Sequence, residues 1–564
     1  MKKVIYLIFT AIIGLFTSCD NELDIPAQSA IAASSVPLNA EFVETQVVSV
    51  YAITDGNLDN GNVWRSAASN WVYGEVASDN AYKGSDPGDQ QDISAFERYQ
   101  GFPSSSFVDV KWRAVYEGIS RANLAINAVN SGVEAGTLTD AQAKSFLGEL
   151  RFLRAHFHFE AKKMWGNVPF IDETVTESTT NMGVDVWSRI EDDFAFAVSN
   201  LSETPTRVGG ATSWSAKAYL AKAYMYQLDF PSAKPILEDV INNGPYALNV
   251  LFHDNFNADT ENSLESVFAV QYSVNDASNS SSNGNWGDIL NFPHTSPIGG
   301  GCCGFFQPSQ NLVNAYKTDA NGLPLLDTFN NEDVKNDQGI SSDQPFTPYA
   351  GNLDPRLDWT VGRRGIPFLG WGDFPGKAWI RDQSNGGPYV QMKTVYSKDQ
   401  EGSAGAIGTW GGVNSINLNI IRFAEVLLWR AEIAADEGDL EKAKTLVNRV
   451  RERASNPLNF VRRNDGTPAA NYVVGVYSSF LDKEMAIKAV DFEERIELAL
   501  EGHRFFELVR KGKASQLLNA YLEVESTKRT YLMGASFQPT AEVYPIPQDI
   551  INLSRGVLEQ NPGY

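Results

Sequence analysis

Two predicted helical hairpins constrain the fold of this chain more than any other feature of its sequence. Apolar residues recur every three or four positions through residues 218–228 and 233–241, with a short polar turn between them. The same pattern returns at residues 426–434 and 440–450. This period is that of an amphipathic helix, so each pair of stretches predicts two helices joined by a turn.

The two predicted hairpins share one internal spacing. Ala221 precedes Ala233, and Ala431 precedes Ala443, by twelve residues in each case. Small residues at such a spacing are expected in tetratricopeptide-type units, where the two helices touch closely and successive units stack. The chain is therefore predicted to be dominated by α-helices, with a tetratricopeptide-like helix-pair scaffold.

The middle of the chain has a different composition. Residues 275–304 and 341–412 are crowded with Gly, Ser, Asn, Pro and aromatic residues and show no helical period. Loops of this length are uncommon in a compact domain unless they bind something. We therefore expect a loop-rich, irregular lobe at about residues 275–412, carried by a helical scaffold at about residues 41–274 and 413–564.

The N-terminus indicates export and lipid anchoring. Two lysines precede an apolar run at residues 4–16, and Cys19 follows, with acidic residues directly behind it. The run is too short to span a bilayer, which takes about 20 apolar residues, and is typical of a secretory signal. It predicts a signal peptide at residues 1–18, lipidation of Cys19 and a flexible tether at residues 19–40. The alternative is an ordinary secreted protein with an unpaired cysteine.

Charge and cysteine content exclude several classes of protein. Lys and Arg number 46 against 69 Asp and Glu, a formal net charge of −23, so nucleic acid would be repelled. There are three cysteines in the chain, too few for a disulfide-stabilised scaffold, so burial of apolar surface must hold the fold.

Three tryptophans have the sequence surroundings of a sugar-binding residue. Trp286, Trp371 and Trp410 each stand next to glycine in a polar loop. Sugars stack on flat aromatic rings while polar side chains bond their hydroxyls, so such residues are glycan-binding candidates. We expect them to contribute unequally to one extended surface, and partly buried packing is the alternative for each.

Cys302 and Cys303 are adjacent and follow three glycines. Adjacent cysteines in an exported protein predict a vicinal disulfide, which would form a rigid apolar element beside Phe305 and Phe306 and could line a ligand site. Two buried free thiols are the alternative.

One segment of the lobe is locally basic. Residues 356–399 contain more basic than acidic side chains, whereas the whole chain is acidic. If these side chains share a surface, an anionic polysaccharide would be favoured there, and scattered solvated charges are the alternative. The basic residues are Arg356, Arg363, Arg364, Lys377, Arg381, Lys393 and Lys398.

No enzyme, cofactor or metal motif was found. The chain lacks a zinc-protease helix motif, a Cys-x-x-Cys pair, a phosphate-binding loop, a dinucleotide fingerprint and an EF-hand loop. We therefore expect no catalytic residue, cofactor or metal, and the enzymatic alternative is a surface glycosidase with two carboxylates astride a sugar.

A series of short motifs runs in order along nearly the whole chain. The last two are YPIP at 544–547 and QNPGY at the C-terminus, and the earlier ones lie at 112–123, 150–155, 165–169, 216–224, 421–428, 447–451 and 494–504. Together they resemble the SusD/RagB family, the lipoproteins that lie over a TonB-dependent transporter in Bacteroidetes.

The resemblance implies a fold, a location and a role. The fold would be four tetratricopeptide-like helix pairs backing a loop-rich lobe. The location would be the outer membrane, reached through a lipid anchor and facing the exterior. The role would be non-catalytic binding of an oligosaccharide or polysaccharide and its delivery to a SusC-like transporter, while the RagB branch implies peptide capture as the alternative.

The resemblance also bears on particular residues. The family often contacts ligand from the segment that here holds Asp79, Asn80 and Tyr82, which become glycan-binding candidates. Most other motif residues are expected to have a structural role. Five of them are expected to form ion pairs between helices: Arg154, Arg422, Glu425, Glu494 and Arg495.

Overall fold

The computed structural model describes residues 38–58, 62–277 and 281–564. The predicted signal peptide, Cys19 and most of the predicted tether at residues 19–40 lie outside the described residues. Among the helices that the structure describes, none is both long enough and apolar enough to cross a bilayer.

A series of antiparallel helices forms the first part of the scaffold. Each long helix packs against the next one along the chain, as expected for helices joined by short loops. The helices are α1 (Ala40–Ala52), α2 (Gln91–Glu97), α3 (Ser106–Glu134), α4 (Asp140–Trp165), α5 (Val186–Asn200), α6 (Ser213–Tyr226) and α7 (Phe230–Asn243).

Helix α4 is capped at both of its ends. The Thr139 side chain accepts a hydrogen bond from the Gln142 amide, and the Gln142 side chain accepts one from the Thr139 amide. These two bonds form a capping box. Gly166 ends the helix with φ +65°, a conformation open to glycine. The two caps thus set the bounds of α4 at Asp140 and Trp165.

The lobe contains only short elements among its described residues. The helices there are α8 (Gln310–Ala315), α9 (Leu357–Thr360) and α10 (Gln383–Gly386). The described residues include three antiparallel strand pairs. β1 (Ala81–Gly84) pairs with β3 (Phe305–Pro308) and ties the lobe to the scaffold, β2 (Ser266–Val270) pairs with β6 (Leu418–Arg422) within the scaffold, and β4 (Val361–Gly362) pairs with β5 (Val390–Gln391) within the lobe.

The scaffold resumes after β6. The helices that follow are α11 (Phe423–Glu437), α12 (Leu440–Ser455), α13 (Lys483–Leu498), α14 (Arg504–Arg510), α15 (Ala514–Glu525) and α16 (Gln548–Leu553). Helix α11 packs on α12, α13 and α7, so the two ends of the scaffold meet around it. The boundaries of the lobe at residues 275 and 412 stay predictions.

Both predicted hairpins are confirmed and share one turn chemistry. Helix α7 begins after Asp229, whose side chain accepts from the Ser232 amide, and α12 begins after Asp439, which accepts from the Lys442 amide. An aspartate in this position satisfies an amide that the first helical turn leaves unbonded. The scaffold therefore has the helix-pair architecture that the alanine spacing predicts.

One continuous apolar core runs through the scaffold and under the lobe. Its largest fully buried side chains include Trp71, Trp165 and Trp429. A smaller core, centred on Phe292 and Phe368, lies within the lobe. The lobe is thus supported from beneath, although its chain path is irregular.

Buried charges also join the lobe to the scaffold. Asp354 and Arg356 of the lobe are 2.7 Å apart, and Arg356 reaches Glu497 on α13 at 2.8 Å. Arg422 pairs with Glu265 at 2.9 Å and with Glu497 at 2.5 Å. We call the connected set the buried network: Asp354, Glu265, Glu493, Glu497, Glu501, Arg356, Lys393, Arg422, Arg451 and Arg453.

Each of the five framework residues forms an ion pair, as expected from the sequence, but the pairs of Arg422 on β6 and of Arg495 do not join two helices. Besides Arg422, Arg154 reaches Asp193 on α5 at 2.7 Å, and Glu425 lies 3.5 Å from Lys222 on α6. Glu494 pairs with Lys511, and Arg495 pairs with Asp79, a loop residue rather than a helical one.

Candidate functional site

Two tryptophans, one exposed and one half-buried, meet at the surface of the protein. Trp64 lies on a single helical turn, Val63–Arg65, and meets Trp410 edge to face with ring centroids 6.2 Å apart and planes at 88°. Trp410 is 52% exposed, and Trp64 is half-buried. The Trp64 Nε1 donates to Gln90 Oε1 at 3.4 Å. The two rings therefore offer solvent a fixed aromatic surface.

Three glycines let the loop that carries Trp410 come close. Gly299, Gly300 and Gly301 have φ of +54°, +70° and +70°. A Cβ on Gly299 would lie 2.6 Å from the Cα of Gly412, and a Cβ on Gly300 would lie 3.2 Å from the carbonyl oxygen of Trp410. Only glycine combines this backbone conformation with so close an approach.

A charged triad is connected to the aromatic pair through Gln90, which bonds to Trp64 and directly follows Asp89. Arg381 Nη1 donates to Asp89 Oδ2 at 2.7 Å and to Ser85 Oγ at 2.9 Å, and Arg381 Nη2 lies 2.5 Å from Asp86 Oδ2. The three charged side chains are each about one-third exposed. Partial burial opposes ionisation, yet the Gly88 amide and Arg381 lower the pKa of Asp86.

Close packing around Gly304 and His294 connects Arg381 to the glycine run at residues 299–301. A Cβ on Gly304 would lie 3.2 Å from the Cβ of His294 and 3.7 Å from the Cβ of Arg381. His294 Nδ1 is 2.7 Å from Thr295 Oγ1, and the Thr295 amide donates to the Gly301 carbonyl at 2.8 Å. Arg381 is therefore linked to the loop that seats Trp410.

These contacts gather residues from distant parts of the sequence. Gln90 accepts the hydrogen bond from Trp64 and directly follows Asp89, so it connects the aromatic pair to the charged triad. The glycine run makes a second connection, between the Trp410 loop and Arg381. We call the group the surface cluster: Trp64, Asp86, Asp89, Arg381 and Trp410. Aromatic faces beside exposed carboxylates and a guanidinium are the groups that recognise a polyhydroxylated ligand.

The adjacent cysteines follow the glycine run directly. The structure joins Cys302 and Cys303 as a disulfide, with Cys302 half-buried and Cys303 buried. Phe305 and Phe306 are not part of a surface element, because both are buried against Trp71. The redox state of the two cysteines in the cell stays a prediction.

The sequence of the chain matches two family models. The family model described as "SusD family" matches residues 264–564, more than half of the chain. The chain belongs to the SusD family. A second model, described as "Starch-binding associating with outer membrane", matches residues 41–225.

Similar proteins extend over all or part of this SusD-family chain. A SusD-like protein of Bacteroides ovatus is 30% identical over 177 residues, which cover 28% of this chain and 32% of that protein. A SusD superfamily structure from Bacteroides vulgatus has a TM-score of 0.71 at 20% identity and covers 93% of this chain and 99% of its own.

A third similar protein was solved with a ligand. Surface glycan-binding protein A from Bacteroides thetaiotaomicron, in complex with laminarihexaose, has a TM-score of 0.66 at 20% identity. The match covers 92% of this chain and 99% of that one. At this identity the likeness confirms the fold of the SusD-family chain.

The segment that the family resemblance singled out is buried. Asp79 is 4% exposed and pairs with Arg504 at 2.8 Å and with Arg495 at 3.2 Å. Burial alone would raise the pKa of Asp79, but Arg495 and Arg504 hold it at about 2. Asp79 therefore anchors α13 and α14 instead of reaching the surface.

Asn80 and Tyr82 are also enclosed. Asn80 is 1% exposed and donates to Glu75 at 2.9 Å, while Tyr82 is fully buried and its hydroxyl donates to Glu525 at 2.6 Å. The bonding groups of these residues are already taken by the protein. A ligand at the surface cannot reach them in this arrangement.

The other two candidate tryptophans are less accessible than Trp410. Trp286 is half-buried and donates from Nε1 to the Ser281 carbonyl at 2.8 Å. Trp371 is half-buried, donates to the Tyr396 carbonyl at 3.2 Å and lies under the ammonium of Lys398 at 4.3 Å. Their rings are held by packing, so of the three candidates only Trp410 has most of its surface free.

The basic segment of the lobe does not form a basic surface. Arg356 and Lys393 belong to the buried network. Arg363 is buried against Asp358 at 2.5 Å, and Arg364 donates to backbone carbonyls while 8% exposed. The prediction of a basic patch that binds an anionic ligand is therefore wrong. For these four residues the alternative, that the charges are scattered and solvated, is also wrong.

One group of carboxylates could in principle hold a cation. Glu432, Glu494 and Glu507 bring an oxygen each within 4.8 Å of one another. Arg510 reaches Glu432 at 2.6 Å and Glu507 at 2.5 Å, and Lys511 pairs with Glu494. Basic side chains thus already compensate this group.

Sequence reasoning missed Trp64, Asp86 and Asp89. A signal for Trp64 was present, because Asn-Gly-Asn stands shortly before it at 60–62, as it does before Trp286 at 283–285. No local pattern marks the two aspartates, since their role depends on Arg381, almost 300 residues away.

Proposed function

We propose that this SusD-family chain is a non-catalytic glycan-binding protein of the outer cell surface, which holds an oligosaccharide or polysaccharide at the surface cluster. The observation that carries the proposal is the edge-to-face pair of exposed Trp410 and half-buried Trp64, connected to Asp86, Asp89 and Arg381. The laminarihexaose bound by a protein of the same fold supports it.

The physical basis is a rigid platform with hydroxyl-binding groups at its edge. Each tryptophan ring restrains the other, so little conformational freedom is lost when a sugar face stacks on them. The carboxylates accept bonds from sugar hydroxyls, and the guanidinium can donate. This arrangement holds a pyranose without forming a bond to it.

The charges of the cluster also favour binding over hydrolysis. A glycosidase needs one carboxylic acid that keeps its proton near neutral pH, beside a second carboxylate. Asp86 and Asp89 share Arg381, and the pKa of Asp86 is lowered. The environment of Asp86 therefore disfavours the protonated acid that such an enzyme requires.

The proposal includes an anchor and a partner. Cys19 would be lipidated and hold the protein at the outer membrane, facing the exterior, and a SusC-like TonB-dependent transporter would receive the glycan. Cys19→Ala should release soluble or unprocessed protein. If that variant still fractionates with the outer membrane as efficiently as the parent, the anchor is wrong.

A glycan microarray, a peptide panel and a reducing-sugar assay together test the binding role. We expect binding of a glycan class, no binding of peptides and no release of reducing ends on prolonged incubation. Binding of peptides alone would favour the peptide-capture function of the RagB branch, and release of reducing ends would identify a glycosidase. Loss of the partner transporter should abolish uptake and leave surface binding intact.

A further inference from the structure

We infer that the surface cluster selects neutral glycans and excludes polyanionic ones, because its positive charges are already compensated by the protein. The inference rests on the proposed function and specifies the chemical class of its ligand. A cluster with a free guanidinium would instead recruit uronates or sulfated sugars, since arginine pairs readily with carboxylate and sulfate groups.

Arg381 is the exposed cation of the cluster, and both of its terminal nitrogens are engaged. Nη1 serves Asp89 and Ser85, and Nη2 serves Asp86, at distances of 2.5 to 2.9 Å. The two aspartates therefore compensate its positive charge. An anionic sugar that approached the guanidinium would meet both carboxylates beside it, and their negative charges would repel it.

A second cation lies beneath the same loop and is out of reach. Lys83 is fully buried, and its Nζ donates to the backbone carbonyls of Asp86 at 2.7 Å and Asp89 at 2.6 Å. It holds the turn that presents the two aspartates. Its backbone amide is bonded to Glu97, whose pKa burial raises to about 7.

The neighbouring histidine adds no positive charge at neutral pH. Partial burial and then Arg381 lower the pKa of His294 below its ordinary value, so the ring is neutral at pH 7. The charged groups of the surface cluster are thus two carboxylates and one guanidinium that pairs with both, beside two indole rings and a neutral imidazole. The net charge of −23 on the whole chain adds to the repulsion of a polyanion.

The test compares neutral oligosaccharides with uronate-containing and sulfated oligosaccharides of matched length on one array, followed by titration of the hits. The parent protein should bind a neutral class only, with an affinity that changes less than about twofold between 50 and 500 mM NaCl, since salt screens ionic contacts. Asp86→Asn/Asp89→Asn should gain at least about tenfold in affinity for the acidic oligosaccharides, because Arg381 loses its compensating charges.

Two further variants make the result interpretable. Asp89→Asn alone preserves the Asp86 bonds to the Gly88 and Asp89 amides, so it tests the charge if the double variant folds poorly. Glu177→Gln/Glu452→Gln removes the same number of charges from two exposed positions elsewhere and should leave the acidic oligosaccharides unbound.

The outcomes separate this inference from the proposed function. Salt-sensitive binding of an acidic oligosaccharide by the parent, lost in Trp410→Ala, would overturn the charge inference and leave the glycan role standing. Unchanged specificity in both aspartate variants would also overturn it. Binding to no glycan, or glycan binding that Trp410→Ala does not affect, would overturn the proposed function.

Discussion

Two arginines of this chain are each held between carboxylates, and their surroundings give them opposite roles. Arg356 is fully buried between Asp354, Glu493 and Glu497. Arg381 lies between two carboxylates at the surface and is one-third exposed. The same chemistry therefore occurs both inside the molecule and where a ligand can approach.

The difference teaches what each cluster can do. A buried ion pair gains little over apolar packing, yet losing one partner leaves an uncompensated charge in the interior and is strongly destabilising. An exposed pair contributes little to stability because water and salt screen it. The buried network therefore stabilises the junction of lobe and scaffold. The residues of the surface cluster can differ with the ligand, because the fold does not depend on them.

The largest effect should come from the buried network. Glu497→Gln leaves Arg356, Arg422 and Arg453 without their shared carboxylate and should lower the free energy of unfolding by about 3–5 kcal/mol. Denaturant unfolding measures this loss.

A matched control lies on the same helix. Glu484→Gln makes the same change at a side chain that is 79% exposed and should cost less than about 0.5 kcal/mol. Equal effects of the two substitutions would remove the distinction between the clusters.

The network should also make stability depend on acidity. Burial alone would raise the pKa of Glu497, but Arg453, Arg422 and Arg356 hold it well below its ordinary value. A carboxylate with a lowered folded-state pKa stabilises above its unfolded pKa of about 4.3, and that stability is lost as the pH falls further. The melting temperature should therefore drop below about pH 4, and less steeply in Glu497→Gln; parallel profiles would contradict this.

The aromatic pair should show the reverse pattern, with a large effect on binding and a small one on folding. Trp410→Ala should reduce glycan affinity by about 2 kcal/mol, as for a dominant contact residue. Its melting temperature should hardly change, because the ring is 52% exposed. Calorimetric titration and thermal unfolding measure the two.

The half-buried tryptophans provide the comparison. Trp286→Ala and Trp371→Ala should lose less affinity and more stability than Trp410→Ala, since their rings are packed and bonded to backbone carbonyls. If single alanine changes at all three tryptophans leave glycan affinity untouched, the site lies elsewhere.

The smallest effect concerns the disulfide beside the surface cluster. Cys302 and Cys303 are adjacent, so their bond closes almost no loop and should stabilise the fold by about 1 kcal/mol or less. Mass spectrometry of unreduced, alkylated protein should find a peptide two hydrogens lighter and unalkylated. A peptide carrying two alkyl groups would show free thiols.

Much of the fold could be predicted because its signals are local. The period of α4, the matched alanines of the two hairpins and the turns at Asp229 and Asp439 each lie within a few residues of what they determine. The strand pairs, such as β2 with β6, join segments about 150 residues apart and leave no such local signal.

The site was predicted less well for the same reason. Trp410 could be selected from its glycine-flanked loop, but its partner Trp64 is a tertiary neighbour from near the other end of the chain. Asp79 and Tyr82 resemble ligand residues in sequence, and only the structure shows Arg504 and Glu525 occupying their bonding atoms. Which side chains can bind a ligand here depends on their exposure to solvent. The sequence of a loop predicts that exposure poorly.

Oxidative footprinting in the presence of a glycan identified on the array tests the central claim most directly. Solvent-accessible tryptophans are oxidised, and a bound ligand protects those that it covers. We predict protection of Trp64 and Trp410 at saturating glycan, with little change at Trp286 and Trp371. Protection confined to other residues, with Trp410 still oxidised at the rate of the free protein, would contradict the assignment of the surface cluster as the glycan site.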